Sequence, residues 1–342
     1  MLKRIFPFRV VVLLTLQIIF AALFILFNNT EFFYEKRDVQ KQATPAYSFK
    51  GLLSPEFDKV ENFKLQGYVL STSKSIPPYY FVVYEPSIDD GVSPYMLQTG
   101  GFYDRFAHDI FDWHYAQSKK NGHISDTTVD CLVLDVGMNF GSFALYAASR
   151  NCEVYGFETQ SSVMFGVALA ARLNNFEQYV HMIRKAASNV SGIPVKFGFV
   201  SKNVGGLPVV YDSASDTDET VLTVRVDDVV QYPRHINFAK VDVEGSEYRA
   251  LQGMKPFLQS HLIDGLVIEL RDDDQSKQWI ADIYDWGYIC LKVSEYQYPL
   301  NYSASLQTFP FMATKKKALE NADRLDNYWC VPDFRDKKVV PA

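Results

Sequence analysis

From Val129 onward, short β-rich apolar runs alternate with stretches of helical periodicity, and this constrains the fold more than any other feature. Runs at 131–137 (CLVLDVG), 152–158 (CEVYGFE), 179–184, 238–245 (FAKVDVEG) and 266–270 (LVIEL) read as buried strands. Stretches at 141–149, 161–173, 247–254 and 274–286 read as the helices between them, with Ser161 and Asp274 as caps. Runs at 195–200, 221–226, 288–293 and 308–314 read as further strands. Such alternation specifies an α/β architecture: a doubly wound, mainly parallel sheet.

The chain ahead of that pattern has a different character. Residues 10–27 (VVVLLTLQIIFAALFILF) form 18 positions without a charge. In a helix they span about 27 Å, enough for a bilayer core, and they exceed the apolar stretch of a cleaved signal. Lys3, Arg4 and Arg9 precede the run and favour a cytoplasmic amino terminus. The expectation is a single-pass, type II membrane protein of the ER or Golgi with its catalytic domain in the lumen. The expected layout is a cytoplasmic tail 1–9, a transmembrane signal anchor 10–27, a stem 28–46, an aromatic-rich cap 47–125, a catalytic domain 126–316 and a C-terminal surface tail 317–342. Within the cap, 103–119 reads as a helix with Phe106, Ile110, Phe111 and Trp113 on one face.

Composition excludes several classes. With 26 Phe, 21 Tyr and 4 Trp the chain can build a sizeable core, so disorder is excluded over most of it. A net charge of −6 argues against a nucleic-acid partner gripped through its phosphates. The four cysteines contain no CxxC pair, so no structural zinc is expected. Cys131 and Cys152 open adjacent strands, which makes a bridge between them conceivable. Sequons stand at Asn28, Asn189 and Asn301, about what chance supplies from 14 Asn, and decide little.

The chemistry begins after the first strand, at Asp135-Val136-Gly137-Met138-Asn139-Phe140-Gly141. In doubly wound sheets ligands sit outside the carboxyl ends of the strands. Gly137 permits a sharp turn close to ligand, and Gly141 lets the next helix start close to the strand. The Asp135 carboxylate would repel a pyrophosphate and suits a ligand carrying positive charge. S-adenosylmethionine has a sulfonium, an ammonium and no phosphate. Glu158 ends the second strand 21 residues after Gly137, where an acid can accept both ribose hydroxyl protons. Singly, Asp135 reads equally as a turn cap and Glu158 as a surface acid; jointly they favour a ligand site.

The stretch Ala239 to Glu247 (AKVDVEGSE) is the second informative one. Lys240, Asp242 and Glu244 alternate, so in a strand they share one face. Three charges on a central strand are costly unless paired or functional. Glu247 reads either as functional or as an acid in a first helical turn.

At this point LVLDVGMNFGSFALYAA, VYGFE and AKVDVEGSEYRALQGM resemble the motifs of the FkbM-type methyltransferase family, over about residues 130–315. The resemblance implies a class I, Rossmann-like fold, S-adenosylmethionine as cofactor and O-methylation of a hydroxyl on a sugar, lipid-linked sugar or small molecule. It assigns Asp135, Gly137, Asn139, Gly141 and Glu158 to the cofactor and Asp242, Glu244, Gly245 and Glu247 to the fourth-strand motif. Asp242, Glu244 and Glu247 are the candidate catalytic groups, with Glu244 the candidate base, and no metal ligand is expected. Met138 departs from the family pattern, which commonly has a small residue there.

Two other readings compete. Arg271-Asp272-Asp273-Asp274 resembles a DxD element, and Asp272 and Asp274 would hold a metal and a nucleotide-sugar in a membrane-anchored glycosyltransferase; as a plain feature it is an acidic helix start. A non-catalytic, membrane-tethered binding protein is the third reading.

Overall fold

The computed structural model of the chain describes residues 64–65, 67–120, 124, 131–197, 202–210, 219–270, 274–293, 316 and 326–333. The chain divides into two compact units, Met1–Asp58 and Lys59–Ala342, and every described residue lies in the second. The expected anchor 10–27, the stem 28–46, the strand at 308–314 and Asp272 lie outside the described residues. Among the described residues no helix is long and apolar enough to cross a membrane.

The first elements form a small antiparallel sheet, β1 (Lys64–Leu65), β2 (Tyr68–Thr72) and β3 (Tyr80–Tyr84), followed by helices α1 (Val92–Thr99) and α2 (Arg105–Lys120). The alternation then runs β4 (Leu132–Val136), α3 (Ser142–Ala148), β5 (Glu153–Glu158), α4 (Ser161–Leu173), β6 (Val180–Arg184). A separate four-stranded sheet follows, built from β7 (Ala186–Ala187), β8 (Pro194–Phe197), β9 (Val209–Val210) and β10 (Thr220–Val224) in the order β7-β10-β8-β9. After α5 (Val226–Val229) come β11 (Phe238–Val241), α6 (Glu247–Gln252), α7 (Lys255–Gln259), β12 (Leu266–Leu270), α8 (Asp274–Asp285), β13 (Tyr288–Lys292) and β14 (Asp326–Pro332).

Seven strands make the main sheet, in the order β13-β14-β12-β11-β4-β5-β6. The five from β12 to β6 are parallel, whereas β14 pairs antiparallel with both β12 and β13. The sheet is therefore mixed. From β4 the chain winds outward through β5 and β6, then returns to place β11 on the other flank of β4. That reversal makes the carboxyl ends of β4 and β11 the switch point at which α/β sheets bind ligands. β4 is buried at every position, as befits a strand covered by helices on both faces.

Three expectations are corrected. Residues 326–332 are not a surface tail: Tyr328, Trp329 and Cys330 are fully buried in β14, and the Trp329 indole donates to His114 Nε2 at 3.0 Å. The buried stripe of α2 is Ala107, Ile110, Phe111, His114 and Ser118, at helical spacing, with Phe106 and Trp113 on its flanks. Ser161 is not a cap; it is the first residue of α4, and its hydroxyl donates to Glu219 at 2.8 Å. The four cysteines form two bridges, Cys131–Cys152 between β4 and β5 and Cys290–Cys330 between β13 and β14.

The cap elements pack directly on the main sheet. Phe111 of α2 meets Phe143 of α3 and Phe238 of β11 edge-on. The two ring nitrogens of His108 lie 3.1 Å from the Asp104 and Ser142 carbonyl oxygens, and burial lowers its pKa to about 4, so the neutral ring donates to one of them. The Ser142 hydroxyl donates to the Gly101 carbonyl and accepts the Tyr103 N–H, both at 2.8 Å. Segment 101–104 is thereby fixed beside the start of α3.

Candidate active site

The turn after β4 is shaped by contacts that only its own residues allow. Gly137 has φ +88°, and a Cβ there would lie 1.7 Å from the Asp242 carbonyl oxygen. The Gly137 and Met138 N–H groups both donate to the Phe157 carbonyl of β5. Asn139 takes φ +49°, a conformation asparagine tolerates, and its side-chain oxygen accepts the Phe140 N–H at 2.8 Å. Met138 is buried across Gly156 of β5, where a Cβ would meet its sulfur at 2.3 Å. The bulky residue in the loop is thus matched by a missing side chain on the neighbouring strand.

Glu158 closes the other side. One carboxylate oxygen accepts the Asn139 N–H at 2.9 Å; the other accepts the N–H groups of Thr159 and Gln160 at 2.7 and 2.9 Å. Burial raises its pKa, and the three backbone donors oppose that shift. The Thr159 hydroxyl donates to the second oxygen as well, at 3.3 Å. Above the turn, Gln160 and Asn139 donate to the Val204 and Gly205 carbonyls at 2.8 and 3.4 Å, which seats the 203–206 turn against the glycine loop.

The motif after β11 departs from the expected alternation. The strand ends at Val241, and the chain turns through Glu244 (φ +54°) and Gly245 (φ +95°). Lys240, Asp242 and Glu244 therefore do not line one face of a strand. Glu247 holds this turn: one of its oxygens accepts the Val243 and Gly245 N–H groups at 3.1 and 2.9 Å. Lys240 bonds Asp242 at 2.8 Å and Asp104 at 3.3 Å, and it is the cross-strand register partner of Asp135. Burial works against the Lys240 ammonium, but Asp242, Asp104 and Asp135 outweigh it and raise its pKa.

These elements enclose a cavity of about 140 Å³ at the carboxyl ends of β4, β5 and β11. Six carboxyl groups line it against two lysines: Asp104, Asp135, Glu158, Asp242, Glu244 and Glu269. Asp135 is 1% exposed, and neither of its oxygens has a hydrogen-bond partner. Burial pushes its pKa up to about 7, against the pull of Lys240 and of the Ala144 N–H, which acts from outside hydrogen-bond geometry. Burial, then repulsion from Asp242, Glu244, Glu247 and Asp104, also raises Glu269 to about 7.

The structure thus brings Asp135, Gly137, Asn139, Glu158, Asp242 and Glu244 to one cavity. Gly141 and Glu247 shape its loops from outside the lining. Tyr103, Asp104 and Glu269 join it from places the sequence did not single out. Glu269 carried a signal, as the one acid inside the apolar run LVIEL; Tyr103 and Asp104, in the cap, carried none. His108, His114, His235 and His261 lie outside the lining, in structural contacts.

Residues 135–300 match the FkbM methyltransferase domain. A search of curated proteins gives no match. Among solved structures, an rRNA methylase from Streptococcus thermophilus is 12% identical, with 66% of this chain and 95% of that one covered and a TM-score of 0.36. RsmC, a 16S rRNA methyltransferase from T. thermophilus in complex with AdoMet and guanosine, is 10% identical, with 78% and 51% covered and a TM-score of 0.38. The bifunctional kinase-methyltransferase WbdD is 12% identical, with 71% and 42% covered and a TM-score of 0.34.

Proposed function

We propose, from the match of residues 135–300 to the FkbM methyltransferase domain, that the chain uses S-adenosylmethionine to methylate a hydroxyl of a glycan, lipid-linked sugar or small molecule. The observation that carries this reading is the Asp135 carboxyl, buried without a partner in a cavity where carboxyls outnumber lysines six to two. Such a cavity disfavours a pyrophosphate and favours a cationic ligand without phosphates. Asp135, Asn139 and Glu158 would hold that ligand, Glu158 through its ribose hydroxyls. When bound, the cofactor supplies an electrophilic methyl group on a sulfonium.

The protein's own part is positioning and proton removal. Lys240 keeps Asp242 and Asp104 paired and fixes the floor beside the acceptor. Glu269, with a pKa of about 7, is matched to accept a hydroxyl proton near neutral pH, and Glu244 stands in the same lining. Glu247 is a positioning residue, occupied in closing the turn.

The apolar run 10–27 and the two disulfides support a lumenal, membrane-anchored setting, since disulfides persist in oxidising compartments. Thermal shift with S-adenosylmethionine, against UDP-sugars plus Mn²⁺, tests the cofactor. Stabilisation by the former supports the reading; stabilisation by the sugar nucleotide alone sinks it. Protease protection of residues 28–342 in intact microsomes tests the topology.

A further inference from the structure

The sequon Asn189-Val190-Ser191 forms the exposed connection from β7 to β8. Its feet are clamped to β10: Ser188 N–H donates to the Val224 carbonyl at 2.8 Å and Gly192 N–H to the Thr223 carbonyl at 2.9 Å. Between those clamps Asn189 is half-buried and Val190, Ser191 and Gly192 are exposed; the Ser191 hydroxyl donates to Asp228 and accepts the Arg225 N–H at 2.9 Å, the Arg225 guanidinium donates to the Asn189 carbonyl at 3.3 Å, and a Cβ built on Gly192 would meet nothing within 4 Å. The Asn189 side chain accepts the Ser188 hydroxyl through Oδ1 at 3.3 Å. Its Nδ2, the atom to which a glycan is joined, donates to no group among the described residues.

The second observation is the pairing of all four cysteines, which fits the oxidising lumen where Asn-linked glycans are attached.

We infer that Asn189 carries an N-linked glycan. In the attachment, the Asn189 amide nitrogen forms the bond to the anomeric carbon of a lipid-pyrophosphate-linked oligosaccharide supplied by the host cell. The anomeric C–O bond breaks, the lipid pyrophosphate leaves, and the amide gives up one proton. The inference rests on the lumenal setting proposed above and is independent of the methyl transfer.

The test uses the full chain with its own amino terminus, made in a eukaryotic secretory cell. Peptide-N-glycosidase treatment followed by mass spectrometry should convert residue 189 from Asn to Asp. Asn189→Gln should lose one glycan-sized step in electrophoretic mobility, and Ser191→Thr, which keeps the hydroxyl and the sequon, should retain it. Asn189 unmodified while both disulfides are formed overturns the site and leaves the lumenal setting standing. Asn189 unmodified while all four cysteines react with alkylating reagent overturns both.

Discussion

Asp135 and Glu158 are both buried acids, yet the backbone treats them differently. Glu158 has three N–H donors, whereas Asp135 has no hydrogen-bond partner, so the charge of Asp135 waits for a ligand. Its folded pKa, about 7, lies above the unfolded carboxyl value of about 4. Folding therefore favours the protonated form. Stability from this group is full below about pH 4 and is lost as pH rises through about 7. Glu269 adds to this decline and the buried His108 and His114 oppose it, so the contribution is read as a difference: in urea unfolding of the ligand-free protein, the stability of Asp135→Asn relative to wild type should rise between pH 4 and 7. Affinity for S-adenosylmethionine should show the opposite trend, rising through pH 7 in the wild type. Glu158→Ala should weaken cofactor binding with a smaller effect on turnover at saturation, read by calorimetry and tritium transfer. Glu269→Gln should leave affinity in place, lower turnover roughly 10²- to 10⁴-fold and remove the rate limb near pH 7. If Glu244→Gln produces that loss instead, Glu244 is the base.

The glycine turn works as a pair of elements and not as a motif alone. Met138 fits only because β5 has Gly156 beneath it. Gly156→Ala should destabilise the protein by about 1–3 kcal/mol, and Met138→Ala added to it should recover part of that loss in chemical denaturation. This coupling was not legible in the sequence, because the two residues are 18 positions apart and only strand register brings them together. What could be read were features with local signatures: the strand runs 132–136, 153–158 and 266–270, the helix 161–173 and the acid at the end of β5. The fourth-strand motif misled where its pattern looked strongest. Alternation of charges implies an extended chain, but Glu244 and Gly245 turn it, and Glu247 then closes the turn. The buried strand at 326–332 was hidden by polar neighbours, although its Tyr-Trp-Cys-Val run has the composition of a core strand.

Across the whole molecule, the two disulfides tie neighbouring strands at separate places in the main sheet, β4 to β5 and β13 to β14. Cys131–Cys152 closes a separation of 21 residues, for which the chain-entropy model gives about 3 kcal/mol. Replacing both with Ser should lower the denaturant midpoint accordingly while the cavity keeps its cofactor affinity. The cap is part of the same body: Ser142 and His108 join segment 101–104 to the start of α3, so Asp104 reaches Lys240 from outside the matched 135–300 stretch. β14 occupies the middle of the sheet's far flank although it is the last described strand along the chain. During synthesis, β12 and β13 therefore emerge with a gap between them, each offering unpaired backbone to any neighbour until residues 326–332 leave the ribosome. Closure of this flank thus waits for residues 326–332, and a chain stopped short of Asp326 would be a substrate for chaperones and proteases before it could be an enzyme.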